Sequence, residues 1–192
     1  MYIIGFNGPP RSGKDTMASM LVEHMESQGC NIPIREVSLS TPLRKIAYAM
    51  TGWKGFTDGE NYELFKTTHF PAFGKDGRQI MIDISERFLK PTYGQGIMGH
   101  LLMTDLKNFD GIALVRDTGF QIEKDVLTNY VGNDNFYVAL VQRDGYDFTN
   151  DSREWVDHYH TGIYRNNGTL DDLRAEAGRL YGRLVNQMGW KL

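Results

Sequence analysis

The 192 residues suit one domain with a sizeable core, and 41% hydrophobic with 23% charged residues is the make-up of an ordinary soluble globular protein. The net charge of −3 excludes a global electrostatic footprint for nucleic acid, and the single cysteine, Cys30, excludes an intramolecular disulfide and fits a reducing, cytoplasmic compartment. The five histidines are scattered without cysteine partners, no stretch approaches membrane-crossing length, and the N-terminal apolar run is too short for a signal peptide.

Tyr2-Ile3-Ile4-Gly5-Phe6 predicts a buried strand, followed by Gly8-Pro9-Pro10-Arg11-Ser12-Gly13-Lys14-Asp15-Thr16. Met17, Met20, Leu21 and Met25 then recur at helical spacing, predicting a helix over about 16–28 with Gly29 as its stop. Strand, glycine-bounded loop and helix N-terminus together are what a phosphate-gripping loop requires. Glycines let successive backbone N–H groups curl around a phosphate, and Lys14 reaches the outer phosphates as a point charge. The fit to G-x-x-x-x-G-K-[ST] fails only at the last position, where Asp15 replaces the hydroxyl and Thr16 follows. Gly8, Arg11, Ser12, Gly13, Lys14, Asp15 and Thr16 are thus candidate ligands of a nucleoside triphosphate, and Lys14 is also a catalytic candidate. A tight strand-to-helix turn that binds nothing would explain Gly13 but not the lysine beside it.

Residues 32–39 predict a second strand. Ser40-Thr41-Pro42 opens a helix with Leu43, Ile46, Ala47 and Met50 as its buried stripe. Residues 52–77, rich in glycine and aromatics, read as an irregular or mobile lobe with a short helix near 60–66. Ile80, Ile84, Phe88 and Leu89 predict a helix ended by Lys90-Pro91, and another is expected over about 97–106. The run 112–115 is fully apolar, as in a central parallel strand. A helix over 121–130, a strand over 136–141, a polar excursion over 143–160, an edge strand over 162–164 and a helix capped by Asn167-Gly168-Thr169 and running to about Met188 complete the chain. Such alternation predicts a three-layer α/β/α fold with a parallel sheet. It is read as a single domain with its core in 1–51 and 108–192, a helical substrate-binding lobe at about 52–107 and a lid-like segment at about 143–160.

Ligands of such sheets bind at the carboxyl ends of the strands, where the glycine loop and Asp117 would both lie. Asp15 offers a carboxylate in place of the usual hydroxyl and is the candidate Mg²⁺ ligand, directly or through water. It is equally an acidic residue favoured by the dipole of a first helical turn. Asp117 could hold a Mg²⁺ water or accept a hydrogen bond from the acceptor, or it could be a turn-former before Gly119. Phe120 offers an aromatic face to a base, or belongs to the core. Arg143 and Arg153 bracket the polar excursion. A closing segment carrying them would neutralise charge spread over a triphosphate, and the alternative for each is a solvated surface charge. An acceptor phosphate would need one or two of Arg44, Lys45, Lys66, Arg78, Arg87 and Lys90, with Arg44 and Lys90 the preferred pair. Trp53, Phe56, Phe70, Phe73 and Tyr93 could stack on a base or pack the lobe.

Several of these segments resemble the P-loop kinases of bacteriophages known as deoxynucleoside monophosphate kinases. Arg11-Ser12-Gly13-Lys14-Asp15-Thr16 carries that family's aspartate after the lysine. Ser38-Leu39-Ser40-Thr41-Pro42-Leu43-Arg44 looks like its segment after the second strand, and Ser85-Glu86 with Lys90-Pro91 and Gly94 is similar to a middle motif. Asp117-Thr118-Gly119-Phe120 with Glu123 resembles an Asp-Ser-Gly-Phe motif, and Asn150-Asp151-Ser152-Arg153 a late Asp-Ser-Arg motif. Asn166-Asn167-Gly168-Thr169-Leu170 is similar to the segment before the last helix of many small-molecule kinases. The resemblance implies a P-loop kinase fold, ATP and Mg²⁺, and transfer of the γ-phosphate to a deoxynucleotide acceptor, in the cytoplasm of an infected host cell. Lys14, Asp117 and Arg153 would then be catalytic, with Arg143 on the ATP. The chain is shorter than the larger phage enzymes. Some similar phage kinases instead phosphorylate 5-hydroxymethyluracil in DNA, in which case residues 52–100 would face DNA. No membrane partner is expected, and a homodimer is one arrangement left open.

Overall fold

The computed structural model describes residues 1–56, 59–149 and 151–192. Its elements run β1 (Tyr2–Asn7), α1 (Lys14–Ser27), β2 (Ile34–Val37), α2 (Thr41–Thr51), α3 (Gly59–Thr67), β3 (His69–Phe70), β4 (Lys75–Asp76), α4 (Gly77–Ile82), a π-helical stretch (Asp83–Leu89), α5 (Lys90–Tyr93), α6 (Ile97–Asp105), β5 (Ile112–Val115), α7 (Gln121–Val131), a 3-10 turn (Asn133–Asn135), β6 (Phe136–Gln142), β7 (Thr161–Arg165) and α8 (Leu170–Asn186). The chain divides into two compact units, 1–38 with 108–192, and 39–107. The second unit therefore begins with α2 rather than after it.

The first unit is an α/β structure around a five-stranded parallel sheet of order β2-β5-β1-β6-β7. Strands alternate their side chains between two faces. Ile4 and Phe6 of β1 join Leu114, Tyr137, Ala139 and Val141 in a core closed by Met17, Leu21 and Met25 of α1 and Leu173, Ala177, Leu180 and Leu184 of α8. Ile3, Ala113, Phe136 and Val138 are just as buried on the alternate positions, and α7 packs on β1 and β6. Helices thus flank the sheet, in keeping with a three-layer arrangement. The chain runs from β1 to β2 and β5 on one side and then to β6 and β7 on the other. The order reverses at β1, which opens a crevice at the carboxyl end of that strand. β7 is the expected edge, and Arg179 covers part of it by donating to the Ile163 carbonyl at 2.7 Å. Among the described residues no helix is long and apolar enough to cross a membrane.

The second unit is helical with a two-stranded hairpin, β3-β4. Phe65 is wholly buried, with ring centroids of Tyr48, Phe70 and Trp53 at 4.6, 5.4 and 5.7 Å. This cluster corrects the predicted stripe of α2: Leu43 and Ala47 are buried, but Tyr48 turns inward and Met50 is 52% exposed. A second correction concerns Pro91. The helix does not end there but continues through the π-helical stretch into α5 and stops at Gly94 (φ +94°). Proline lacks an N–H and clashes with the carbonyl four residues back, and a wider i→i−5 turn before it eases that clash. The Lys90 N–H accordingly bonds to the Ser85 carbonyl.

Candidate phosphate-loop site

Residues 8–13 link the carboxyl end of β1 to the N-terminus of α1. Gly8 is buried against β6: a methyl group there would lie 2.4 Å from the Val141 carbonyl oxygen. Gly13 caps α1 at φ +96°, in the left-handed region that favours glycine, and offers the first-turn N–H groups no side-chain cap. Arg11 also has positive φ (64°). The loop is steadied from outside by side chains, with Asn166 Nδ2 donating to the Ser12 carbonyl at 2.9 Å and Arg143 Nη1 to the Arg11 carbonyl at 3.3 Å. Gly8→Ala is expected to cost about 1–3 kcal/mol, because a backbone carbonyl cannot yield as a flexible side chain does. Thermal denaturation should register this as a Tm lowered by several degrees, at roughly 2–4 °C per kcal/mol for a chain of this size.

The loop's polar groups point to an anion. Lys14 is 8% exposed, and its Nζ donates to the Pro9 carbonyl at 3.0 Å. Burial lowers its pKa below the ordinary lysine value and the Arg153 charge adds to this, while Asp15, Asp117 and Asp151 act in the opposite sense. The Ser12 hydroxyl is fully buried and has no hydrogen-bond partner among the described residues. A backbone cradle, a desolvated cation and an orphaned hydroxyl are what a bound phosphate would satisfy. Beside them opens a cleft of about 610 Å³, lined by Arg11, Gly13, Lys14, Asp15 and Thr16, by Arg143 and Tyr146, and by Asn166, Gly168, Thr169, Leu170 and Leu173. The Arg143 guanidinium lies 5.0 Å from the Tyr146 ring centre. Thr169 begins α8 with a reciprocal cap to Asp172, which fixes the far wall.

Around Lys14 stand the charges of Asp15, Asp117, Asp151 and Arg153. Asp117 follows β5 and accepts a 2.6 Å hydrogen bond from the Ser38 hydroxyl at the end of β2. Arg153 is gripped by Asp151 through two parallel bonds, Nε to Oδ1 at 2.9 Å and Nη2 to Oδ2 at 2.6 Å. That grip holds the Asp151 carboxyl down at about 2. The Arg153 side chain crosses Gly119, where a methyl group would come within 2.7 Å of its Cγ and Cδ. Asp15 and Thr16 are exposed in the first turn of α1. Among the described residues no three histidine, cysteine, aspartate or glutamate side chains are arranged to hold a metal ion by themselves.

Lys14, Asp117 and Arg153 are therefore brought together, and Arg143 joins the loop. Phe120 is half-buried at the start of α7 and does not line the cleft. Arg44 and Lys90 belong to the second unit. Arg44 lies 3.9 Å from the Tyr62 ring centre and donates to the Ser40 hydroxyl at 2.8 Å. Lys90 is buried and paired with Glu86 at 2.7 Å. Of the aromatic candidates, Trp53 and Phe70 pack that unit's core, whereas Phe56 and Tyr93 are exposed. Asn150, first residue of the late motif, lies outside the described residues, as do residues 57–58 of the lobe. The sequence does not single out Asn7 or Tyr146, and Asp151 and Asn166 stand there only as members of the segments that carry the resemblance, with no role of their own. Compared with protein-family models and with curated proteins, the chain matches none, so what this site can do has to be read from its own geometry.

Proposed function

We propose that the chain is an ATP-dependent phosphotransferase of the P-loop kinase type that moves the γ-phosphate to a deoxynucleoside monophosphate. The observation that carries this reading is the convergence of buried Lys14, Asp117 and the Asp151–Arg153 pair beside a glycine loop whose Ser12 hydroxyl has no partner. Gly8 through Thr16 would hold the donor's phosphates, and the cleft reaching Tyr146 and Leu170 would take its nucleoside. Mg²⁺, when bound, would neutralise phosphate oxygens. One or two carboxylates suffice for it beside a nucleotide, and Asp15 and Asp117 are the ones at hand. Lys14 and Arg153 are preplaced cations for charge on the transferred group: Lys14 would exchange the Pro9 carbonyl for phosphate, while Arg153 is held by Asp151 through Nε and Nη2 and would turn Nη1 to it. Asp117, oriented by Ser38, is suited to accept a proton or hydrogen bond from the acceptor.

A second reading, phosphorylation of a hydroxymethylated base in DNA, is favoured by two observations. Residues 39–107 hold nine lysines and arginines against seven aspartates and glutamates, a net +2, so the remainder of the −3 chain carries −5. The basic unit also exposes the edge-packed pair Phe88 and Tyr93. An acceptor screen with γ-labelled ATP and Mg²⁺ decides between them. It would set the deoxynucleoside monophosphates, 5-hydroxymethyl-dUMP included, against duplex DNA with and without 5-hydroxymethyluracil. Label on a free monophosphate supports the first reading and names its base. Label only on the modified DNA supports the second. Phosphate release without any acceptor would overturn both.

A further inference from the structure

Asn7 closes β1 and is 1% exposed, a polar side chain at the end of an apolar strand. Its Nδ2 donates to the Thr118 carbonyl at 2.7 Å and to the Glu154 carbonyl at 2.9 Å, and its Oδ1 accepts the Val156 N–H at 3.3 Å. Both carbonyl contacts fall next to a residue of the site. Gly8 of the loop follows Asn7, Thr118 follows Asp117, and Glu154 follows Arg153. The Glu154 N–H in turn donates to the Gly119 carbonyl at 3.0 Å, tying the two segments to each other. Residues 151–156 form neither helix nor strand, so no ladder fixes their backbone. A primary amide has two donors and an acceptor at one short side chain's reach. Aspartate has no donor when ionised, and serine has only one.

Resting on the phosphotransferase reading, we propose that Asn7 is a positioning residue that holds the Asp117 turn and the Arg153 segment in register with the phosphate loop. It touches neither phosphate nor acceptor and acts through Arg153, because Asp117 has its own tie in the Ser38 hydroxyl whereas the Arg153 segment has no ladder to hold it. The charge-neutral Asn7→Ser is therefore expected to leave the dissociation constant of a fluorescent ATP analogue within about threefold and to lower kcat roughly 10- to 100-fold, the scale of a small misplacement of a catalytic group. Asn7→Thr, whose branched side chain suits a strand end, serves where the serine does not fold. In an Arg153→Ala background either change should lower kcat by no more than about threefold, since residues acting through one another are not additive. Hydrogen exchange of the Glu154 and Val156 amides should quicken in the single variants while α1 keeps its protection. Additive losses, an effect confined to nucleotide affinity, or unchanged exchange would each overturn the proposal. A wild-type protein that transfers phosphate to no acceptor would sink the phosphotransferase reading instead, and the exchange result would then decide alone whether Asn7 fixes the segment.

Discussion

Lys14→Met is expected to lower phosphoryl transfer by about 10³-fold or more, the scale of losing a preorganised charge at the transferred group, while the protein folds as well as before. Burial is the main cause of the lowered Lys14 pKa, and Arg153 adds to it. The folded chain thus disfavours the very charge a bound phosphate would need. Methionine keeps the apolar stem and deletes the desolvated ammonium. The sign of the pH dependence follows. A lysine whose folded pKa lies below its unfolded one costs stability wherever it is charged in both states. That cost fades as pH rises from the lowered folded value to the ordinary lysine value, because the unfolded chain then binds more protons. The variant's Tm should therefore match or exceed the wild type's at neutral pH, and the advantage should vanish in strong alkali. Calorimetry beside a transfer assay tests both halves. Wild-type-like turnover would refute the phosphate assignment, and a Tm several degrees lower would show that the Lys14–Pro9 bond outweighs the cost of burial. Function bought with stability is what a binding site, unlike a structural turn, is expected to show.

The parts of this chain that were legible in its sequence are those whose physics is local. The run 112–115 is apolar at every position because β5 is buried on both faces, and strand and sequence run coincide. The loop was legible because glycine spacing, a lysine and a flanking strand and helix are all contiguous. The π-helical stretch was not, since a proline in a helical pattern reads as a stop unless the preceding turn widens, and nothing in 83–89 announces that. The burial of Tyr48 rather than Met50 was set by Phe65 and Trp53, aromatic partners that helical period alone does not reveal. Asn7 was not legible, and the roles of Asp151 and Asn166 were not, because these side chains act on backbone or on a neighbouring cation. The contacts of Asn7 and Asn166 reach across more than a hundred residues. In contrast, the pairings of Arg44 with Ser40 and of Lys90 with Glu86 are four-residue spacings on a helix, and could have been inferred from sequence.

Arg153→Ala is expected to lower kcat by about 10³-fold with little loss of ATP affinity, as for an arginine whose charge matters most in the transition state. Arg153→Lys should not restore it. The two parallel bonds to Asp151 need a planar fork, and an ammonium cannot make them. Asp151→Asn separates positioning from charge. Its carboxylate stands close enough to Lys14 to be felt there, so removing it takes a negative charge away from the place a triphosphate would occupy. The same change loosens the grip on Arg153. ATP should then bind severalfold tighter, on the order of 1 kcal/mol for one screened charge, while kcat falls about tenfold. Asp151 has a depressed folded pKa of about 2, so its contribution to stability is present above the ordinary carboxylate value and is lost as pH falls from there through about 2. An acid limb in the pH–rate profile near neutrality would belong to another group, and Asp151→Asn should leave that limb where it is. Titration of each variant with ATP, alongside steady-state kinetics across pH, gives both quantities. If Asp151→Asn moves kcat and ATP affinity in the same direction, the pair is a structural tie of the 143–160 segment and Arg153 is not poised for a phosphate.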